Sequence, residues 1–141
     1  MKLSVIIPAY NEEATIYNIL QRVSSVELIQ GITKELVVVN DCSKDNTEGE
    51  LMRFRNDFPE ISINYQKHTV NRGKGAALHT GIQSATGDFI IVQDADLEYD
   101  PREFNILLPP ILDGFADVVY GSRFAGGNPH RVLLFFHTIG N

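Results

Sequence analysis

The sequence predicts an α/β protein with a mainly parallel sheet between helical layers, and three observations lead there. Short apolar runs rich in β-branched residues recur along the chain, as in "KLSVIIPAY", "ELVVVN" and "DFIIVQ". Between them lie segments long enough for helices, some with apolar residues at helical spacing. Strands separated in this way imply right-handed crossovers and parallel neighbours. Each apolar run also ends abruptly in polar residues, which in an open parallel sheet gather beyond the carboxyl ends of the strands, where ligands bind.

Each element follows from its residues. "KLSVIIPAY" reads as a buried strand ending at Pro8. Asn11 is expected to cap a helix whose first turn carries Glu12 and Glu13, suited to the positive end of the helix dipole. Ile16, Ile19, Leu20, Val23 and Val26 give that helix one apolar face. "ELVVVN" is the second strand, followed by the polar loop "NDCSKDNT" and a helix from Thr47 to Phe58, stopped before Pro59. "ISINYQ" is the third strand, and "NRGKGAALHTGIQSATG" supplies a glycine-rich turn, a helix and a stop at Gly87. "DFIIVQ" is a continuous apolar run, expected to be a fourth strand buried on both faces. A helix begins near Pro101, and "ADVVYGSRF" supplies a fifth strand. The final "HRVLLFFHTIGN" is apolar and aromatic, with no cap or polar tail. It reads either as the beginning of an element cut short or as a last helix folded back onto the core. Residues 1–141 are expected to form a single domain, incomplete at its C-terminus.

Composition narrows the class. With 141 residues, 43% hydrophobic and 21% charged, the chain has the mixture of a soluble globular domain with a real core. A formal net charge of −6 argues against a general nucleic-acid binder, which needs a basic surface. Cys42 is the single cysteine, which excludes an intrachain disulfide, argues against a thiolate zinc site and suits a reducing, cytosolic setting. Pro8, Glu12 and Glu13 interrupt the first apolar run too early for a signal peptide, and no stretch approaches the ~20 apolar residues of a membrane span.

The stretch "IIVQDADLEYDP" concentrates chemistry. It places Asp94, Asp96, Glu98 and Asp100 at alternate positions after an apolar strand. On an extended chain these carboxylates share one face. Two of them about 4 Å apart repel by roughly 4 kcal/mol at an effective dielectric near 20. A hard cation, Mg²⁺ or Mn²⁺, would cancel that repulsion and bridge to a diphosphate, since such ions take one or two carboxylates plus substrate phosphates. Asp100 is read instead as the cap of the helix at Pro101. Together the strand ends predict one crevice lined by Tyr10, Glu12, Asp41, Asp94, Asp96 and Arg123.

These residues resemble a known family. "SVIIPAYNEE", "VVVNDCSKDNT", "NRGKGAAL", "DADLEYDP" and "VVYGSRF" occur in the order found in family 2 glycosyltransferases of the GT-A fold. Within that family the chain is similar to the polyprenyl-phosphate sugar transferases, including the dolichol-phosphate mannose and glucose synthases. The resemblance implies a three-layer nucleotide-diphosphosugar transferase fold and an inverting, metal-dependent transfer. The donor would be a UDP- or GDP-hexose, and the acceptor a dolichyl or undecaprenyl phosphate at the cytoplasmic face of a membrane. It assigns Pro8, Tyr10 and Glu12 to the nucleoside, Asp41 to base or ribose, Val39 to the pocket lining, and Ala95 to the nucleotide. Asp94 and Asp96 would hold the metal and diphosphate, with Glu98 as a third ligand. Arg123 and Arg131 match basic positions near the phosphates; with a lipid-phosphate acceptor, Arg123, His130 and Arg131 would face that phosphate.

There are departures and open readings. The family's usual Asp-Asp-Gly-Ser is here Asn40-Asp41-Cys42-Ser43, so the loop backbone is expected to differ where glycine is lost. Lys74 reads either as a surface lysine in a tight turn or as a positive charge beside helix amides that hold an anion. Arg131 is either an ordinary surface charge or a phosphate contact. No general base stands out between Gly121 and Asn141, where His130 and His137 read more simply as structural. That favours an acceptor already anionic over a hydroxyl, which would want a base. The alternatives are a family 2 transferase acting on a glycan hydroxyl and a receiver-like phospho-acceptor module.

Overall fold

A computed structural model describes residues 1–121. Four strands, β1 (Lys2–Ala9), β2 (Thr33–Asn40), β3 (Ile63–Lys67) and β4 (Phe89–Val92), form one sheet in the order β3-β2-β1-β4. Every neighbouring pair is parallel, with Val5 opposite Leu36 on one side and Ile91 on the other. The chain starts in the sheet centre, steps outward to β3, then crosses back to β4 on the far side of β1. Strand order therefore reverses at β1, and a crevice is expected beyond its carboxyl end.

Helices α1 (Ile16–Ser25) and α2 (Thr47–Asp57) pack beside each other, while α3 (Lys74–Ser84) lies across β1 and β2. Right-handed crossovers in opposite directions of travel put α3 on the opposite face from α1 and α2. The core is centred on β1 and β2, where Val5, Ile6, Ile7, Val37, Val38 and Val39 are fully buried. Ile16, Ile19, Leu20 and Val23 bury the apolar face of α1 at the expected spacing. Among the described residues, every buried side-chain nitrogen or oxygen has a hydrogen-bond partner.

Three expectations change. Asn11 does not cap α1; it has a φ of 57°, and the helix begins only at Ile16. The amides of Asn11, Glu12 and Glu13 are instead taken by Ser43 of the loop after β2, Thr47 at the start of α2, and Asp45 of that loop. Strand β4 is not buried on both faces, since Ile90 and Val92 are 46% and 45% exposed. It lies at the edge of the described sheet, so its apolar run is covered on one side only. The strands buried on both faces are β1 and the second half of β2. Finally, Ala116–Gly121 forms no strand: Val118 and Tyr120 stand exposed, and no ladder partner supports the alternation. The remainder of that motif, from Ser122, lies outside the described residues.

By its internal contacts the chain divides into two units, Met1–Ile106 and Leu107–Asn141. The first holds the sheet and its helices and ends in a 3₁₀ turn (Pro101–Glu103) and all but the last residue of α4 (Phe104–Leu107). Asp100 caps that turn by accepting from the Arg102 amide at 2.9 Å, as expected. The described part of the second unit contains one short helix, α5 (Pro109–Leu112). Among the described residues, no helix is long and apolar enough to cross a membrane.

Candidate active site

A cavity of about 400 Å³ opens at the carboxyl ends of the strands, within the first unit. The end of β1 and the turn after it contribute Pro8, Ala9, Tyr10 and Glu12; the end of β2 contributes Asp41. Asn71, Gly73, Lys74 and Ala77 line it from the start of α3, and Asp94, Ala95 and Asp96 from the turn after β4. Five of the six side chains expected to share a crevice are thus brought together. The sixth, Arg123, lies outside the described residues, as do His130, Arg131, His137 and the apolar segment between them.

The wall from β1 is fixed by the loop after β2. Besides the three amide bonds already named, Asn11 Oδ1 accepts from the Lys44 amide at 2.8 Å and Glu13 Oε2 from the Asn46 amide at 2.9 Å. Asp45 accepts in turn from the Thr47 amide and hydroxyl. This reciprocal bonding holds Tyr10 and Glu12 at the cavity without a helix beneath them. The Glu12 carboxylate accepts from the Thr15 hydroxyl, which restricts its rotation.

Asp41 is a hub. It is 2% exposed, yet both its oxygens are engaged. Oδ1 accepts from His68 Nδ1 at 2.6 Å and from the Arg72 amide at 2.9 Å, and Oδ2 accepts from the Gly73 amide at 2.7 Å. Burial pushes its pKa up, but the Arg72 amide, His68 and the Gly73 amide together outweigh it, and the carboxyl titrates below its ordinary value. The amides leading into α3 therefore hold a carboxylate of the chain itself. Sequence reasoning missed His68 and Asn71; only the assembled loop sets them beside the cavity wall.

The turn after β4 is not extended. The strand stops at Val92, and Leu97 has a φ of 64°, so the alternate carboxylates do not line one face of a strand. Buried Gln93 pins the turn instead, donating from Nε2 to the carbonyls of Asp94 and Tyr99. Asp96 Oδ1 accepts from the Glu98 amide at 3.0 Å. Asp94 and Asp96 line the cavity and Glu98 does not. Among the described residues no group of three or more His, Cys, Asp or Glu side chains is placed to hold a metal ion, so the expected Asp94–Asp96–Glu98 set is not assembled. Two carboxylates facing one cavity nevertheless suit a hard cation that draws its remaining ligands from phosphate and water. A positive charge already stands there, for Lys74 Nζ lies 2.7 Å from Asp94 Oδ1.

Two further expectations are corrected. Val39 does not line the cavity; it is fully buried and packs with Ile6, Val37 and Ala77 in the core. Its position in β2 turns it toward α3, and Ala77 takes the lining place. Cys42 does not force a new loop backbone by resisting the glycine conformation, for it adopts a φ of 59°, in the left-handed region itself.

Comparison with known proteins agrees with this geometry. Residues 4–132 match the model of the family described as "Glycosyl transferase family 2". A dolichol-phosphate mannosyltransferase of Pyrococcus furiosus is 34% identical over 139 residues, covering 99% of this chain and 38% of the relative. An undecaprenyl-phosphate 4-deoxy-4-formamido-L-arabinose transferase of Pseudomonas aeruginosa is 34% identical over 121 residues, covering 86% of this chain and 35% of the relative. Among solved structures, a mannosyltransferase of Pyrobaculum calidifontis in complex with GDP-Man and Mn²⁺ superposes with a TM-score of 0.65 at 31% identity, covering 72% of this chain and 29% of that one. The chain thus spans less than two fifths of the length of these relatives.

Proposed function

The chain belongs to glycosyl transferase family 2 and has its GT-A fold, and from that premise we propose that it is the donor-binding part of a hexosyltransferase. The donor is a nucleoside diphosphate hexose, and the acceptor is a polyprenyl phosphate at a membrane surface. The observation that carries this reading is the convergence of Tyr10, Glu12, Asp94 and Asp96 on one cavity at the strand-order reversal. The receiver-like alternative falls with the family membership.

In this reading Pro8, Tyr10 and Glu12 bound the nucleoside, with Ala95 against it. Asp94 and Asp96 would hold Mg²⁺ or Mn²⁺. That ion would supply positive charge to the diphosphate and so ease departure of the nucleotide in an inverting transfer. The chain's own contribution is orientation. Gln93 fixes the carboxylate turn, and the loop after β2 fixes Tyr10 and Glu12. Lys74 carries charge at the same wall and keeps Asp94 paired. The lipid-phosphate acceptor is supported by the names of the two relatives, which carry dolichol phosphate and undecaprenyl phosphate. Arg123 and Arg131 are the residues proposed to meet that phosphate.

Calorimetric titration of the chain with UDP, GDP and their hexose conjugates, with and without Mn²⁺, tests the reading. One of the two nucleotides should bind, and Mn²⁺ should strengthen it. Absence of binding by either nucleotide in Mn²⁺ would overturn the assignment.

A further inference from the structure

His68 is the buried titratable group that the proposed chemistry leaves unused. Its side chain is 6% exposed, and both ring nitrogens are engaged. A carboxylate only accepts, so the Nδ1 bonded to Asp41 carries the proton. Its Nε2 is hydrogen-bonded to the Thr80 hydroxyl on α3, 2.9 Å away. The His68 amide donates to the Asn40 carbonyl at 2.9 Å, which ties this backbone to the end of β2. The ring thus spans from the end of β2 to α3, held at two points, with the backbone amide as a third anchor of the residue.

What it acts on is the cavity wall. Asp41 presents one oxygen to the Arg72 amide and the other to the Gly73 amide. The terminal torsion of a carboxylate is broad and roughly two-fold, so a lateral partner on Oδ1 narrows the plane that the two amides select. His68 Nδ1 is that partner. Gly73 has φ 85° and ψ 161°, a conformation open to glycine; its carbonyl accepts the first helix bond of α3, from the Ala77 amide at 3.1 Å, while its amide goes to Asp41. It is set by these contacts, and Asn71 and Gly73 on either side of Arg72 both line the cavity.

We propose that His68 is a positioning residue for the nucleotide site. Acting through Asp41, it holds the Arg72–Gly73 backbone in the form that makes one wall of the cavity. This rests on the donor-binding reading above. It also redirects the part expected of Asp41, whose carboxylate has three of its roughly four acceptor directions filled from within the chain. Asp41 shapes the wall that the nucleotide meets.

Two measurements on the free and nucleotide-bound chain test this: amide exchange at Arg72 and Gly73 by NMR, and calorimetric affinity for UDP and GDP in Mn²⁺. His68→Phe keeps the bulk of the ring and removes both hydrogen bonds. It should speed exchange at those two amides and weaken nucleotide binding, each by about tenfold, the worth of one charge-assisted hydrogen bond. His68→Asn offers an N–H near the position of Nδ1 and should restore both to within about threefold of the parent. Unchanged exchange in His68→Phe, or unchanged affinity with only a lowered Tm, overturns the proposal, as does failure of His68→Asn to rescue. If His68→Phe does not fold, Thr80→Val, which releases Nε2 alone, is read the same way: faster exchange at Arg72 and Gly73 supports the proposal, and unchanged exchange overturns it. Failure of the parent to bind either nucleotide defeats the donor-binding reading instead, while exchange in the free chain still decides whether His68 sets the loop.

Discussion

The Lys74 ammonium meets both carboxylate oxygens of Asp94, at 2.7 and 2.8 Å, on the wall of a cavity that also holds Asp96. The two side chains are 60% and 25% exposed, so solvent screens the pair and its net worth is at most about 1 kcal/mol. An interaction that weak is readily exchanged for a divalent cation. Lys74→Met should therefore leave stability within about 1 kcal/mol of the parent, and raise Mn²⁺ affinity of the nucleotide-free chain about two- to fivefold. Electron paramagnetic titration of free Mn²⁺ measures the second effect. An unchanged constant would mean that Asp94 and the cation do not meet.

Asp96→Asn separates charge from shape. Asparagine still accepts from the Glu98 amide through Oδ1, so the turn keeps its hydrogen bond. The variant should fold with the circular dichroism of the parent and lose the Mn²⁺-dependent increment of nucleotide affinity in calorimetry. Retention of that increment would count against Asp96 as a cation contact.

Asp41 links the site to acid stability. Its folded pKa lies below the ordinary carboxylate value because the Arg72 amide, His68 and the Gly73 amide outweigh burial. The stability it contributes is therefore complete above the unfolded value, about 3.9, and is lost as pH falls below that through the depressed native value. Asp41→Asn removes the charge from these hydrogen bonds and should cost about 1.5–3 kcal/mol at neutral pH. Urea titrations at neutral pH and near pH 3 should show the gap between parent and variant narrowing on acidification. A gap independent of pH would refute the charge argument.

Gly87 sets the approach of the last crossover to β1. A Cβ there would lie 2.7 Å from the Lys2 carbonyl oxygen and 2.8 Å from the Ser4 amide nitrogen, both backbone atoms of the central strand. The Gly87 amide also donates to the buried Ser4 hydroxyl at 2.9 Å. Since backbone has little room to shift, Gly87→Ala should destabilise the chain by about 1–3 kcal/mol in urea unfolding.

Cys42 offers the opposite case. Its φ of 59° places an L-residue where about 1–2 kcal/mol of strain is usual. Glycine would relieve that strain and return part of it as unfolded-chain entropy, about 0.5–1 kcal/mol. Cys42→Gly should thus range from neutral to about 1 kcal/mol more stable, with nucleotide affinity unchanged. A clear loss of stability would show that its Sγ contact with the Thr69 carbonyl outweighs the strain.

The sequence by itself determined the strands β1 to β4, the helices between them, and the placing of polar clusters at the carboxyl ends. It did so because period and composition are local properties, read within one element, and because right-handed crossovers leave few ways to assemble them. Tyr10, Glu12, Asp41, Asp94 and Asp96 were legible for the same reason, since each lies within four residues of a strand's carboxyl end. Only the tertiary structure decided what those side chains touch. Asp41 finds His68 at a separation of 27 residues and Lys74 finds Asp94 at 20, while Asn11 gives up a helix cap to bond a loop 32 residues away. Val39 and Ile90 look alike in sequence, yet one is sealed beneath α3 and the other is exposed at an edge, because burial belongs to the neighbours that arrive and not to the residue.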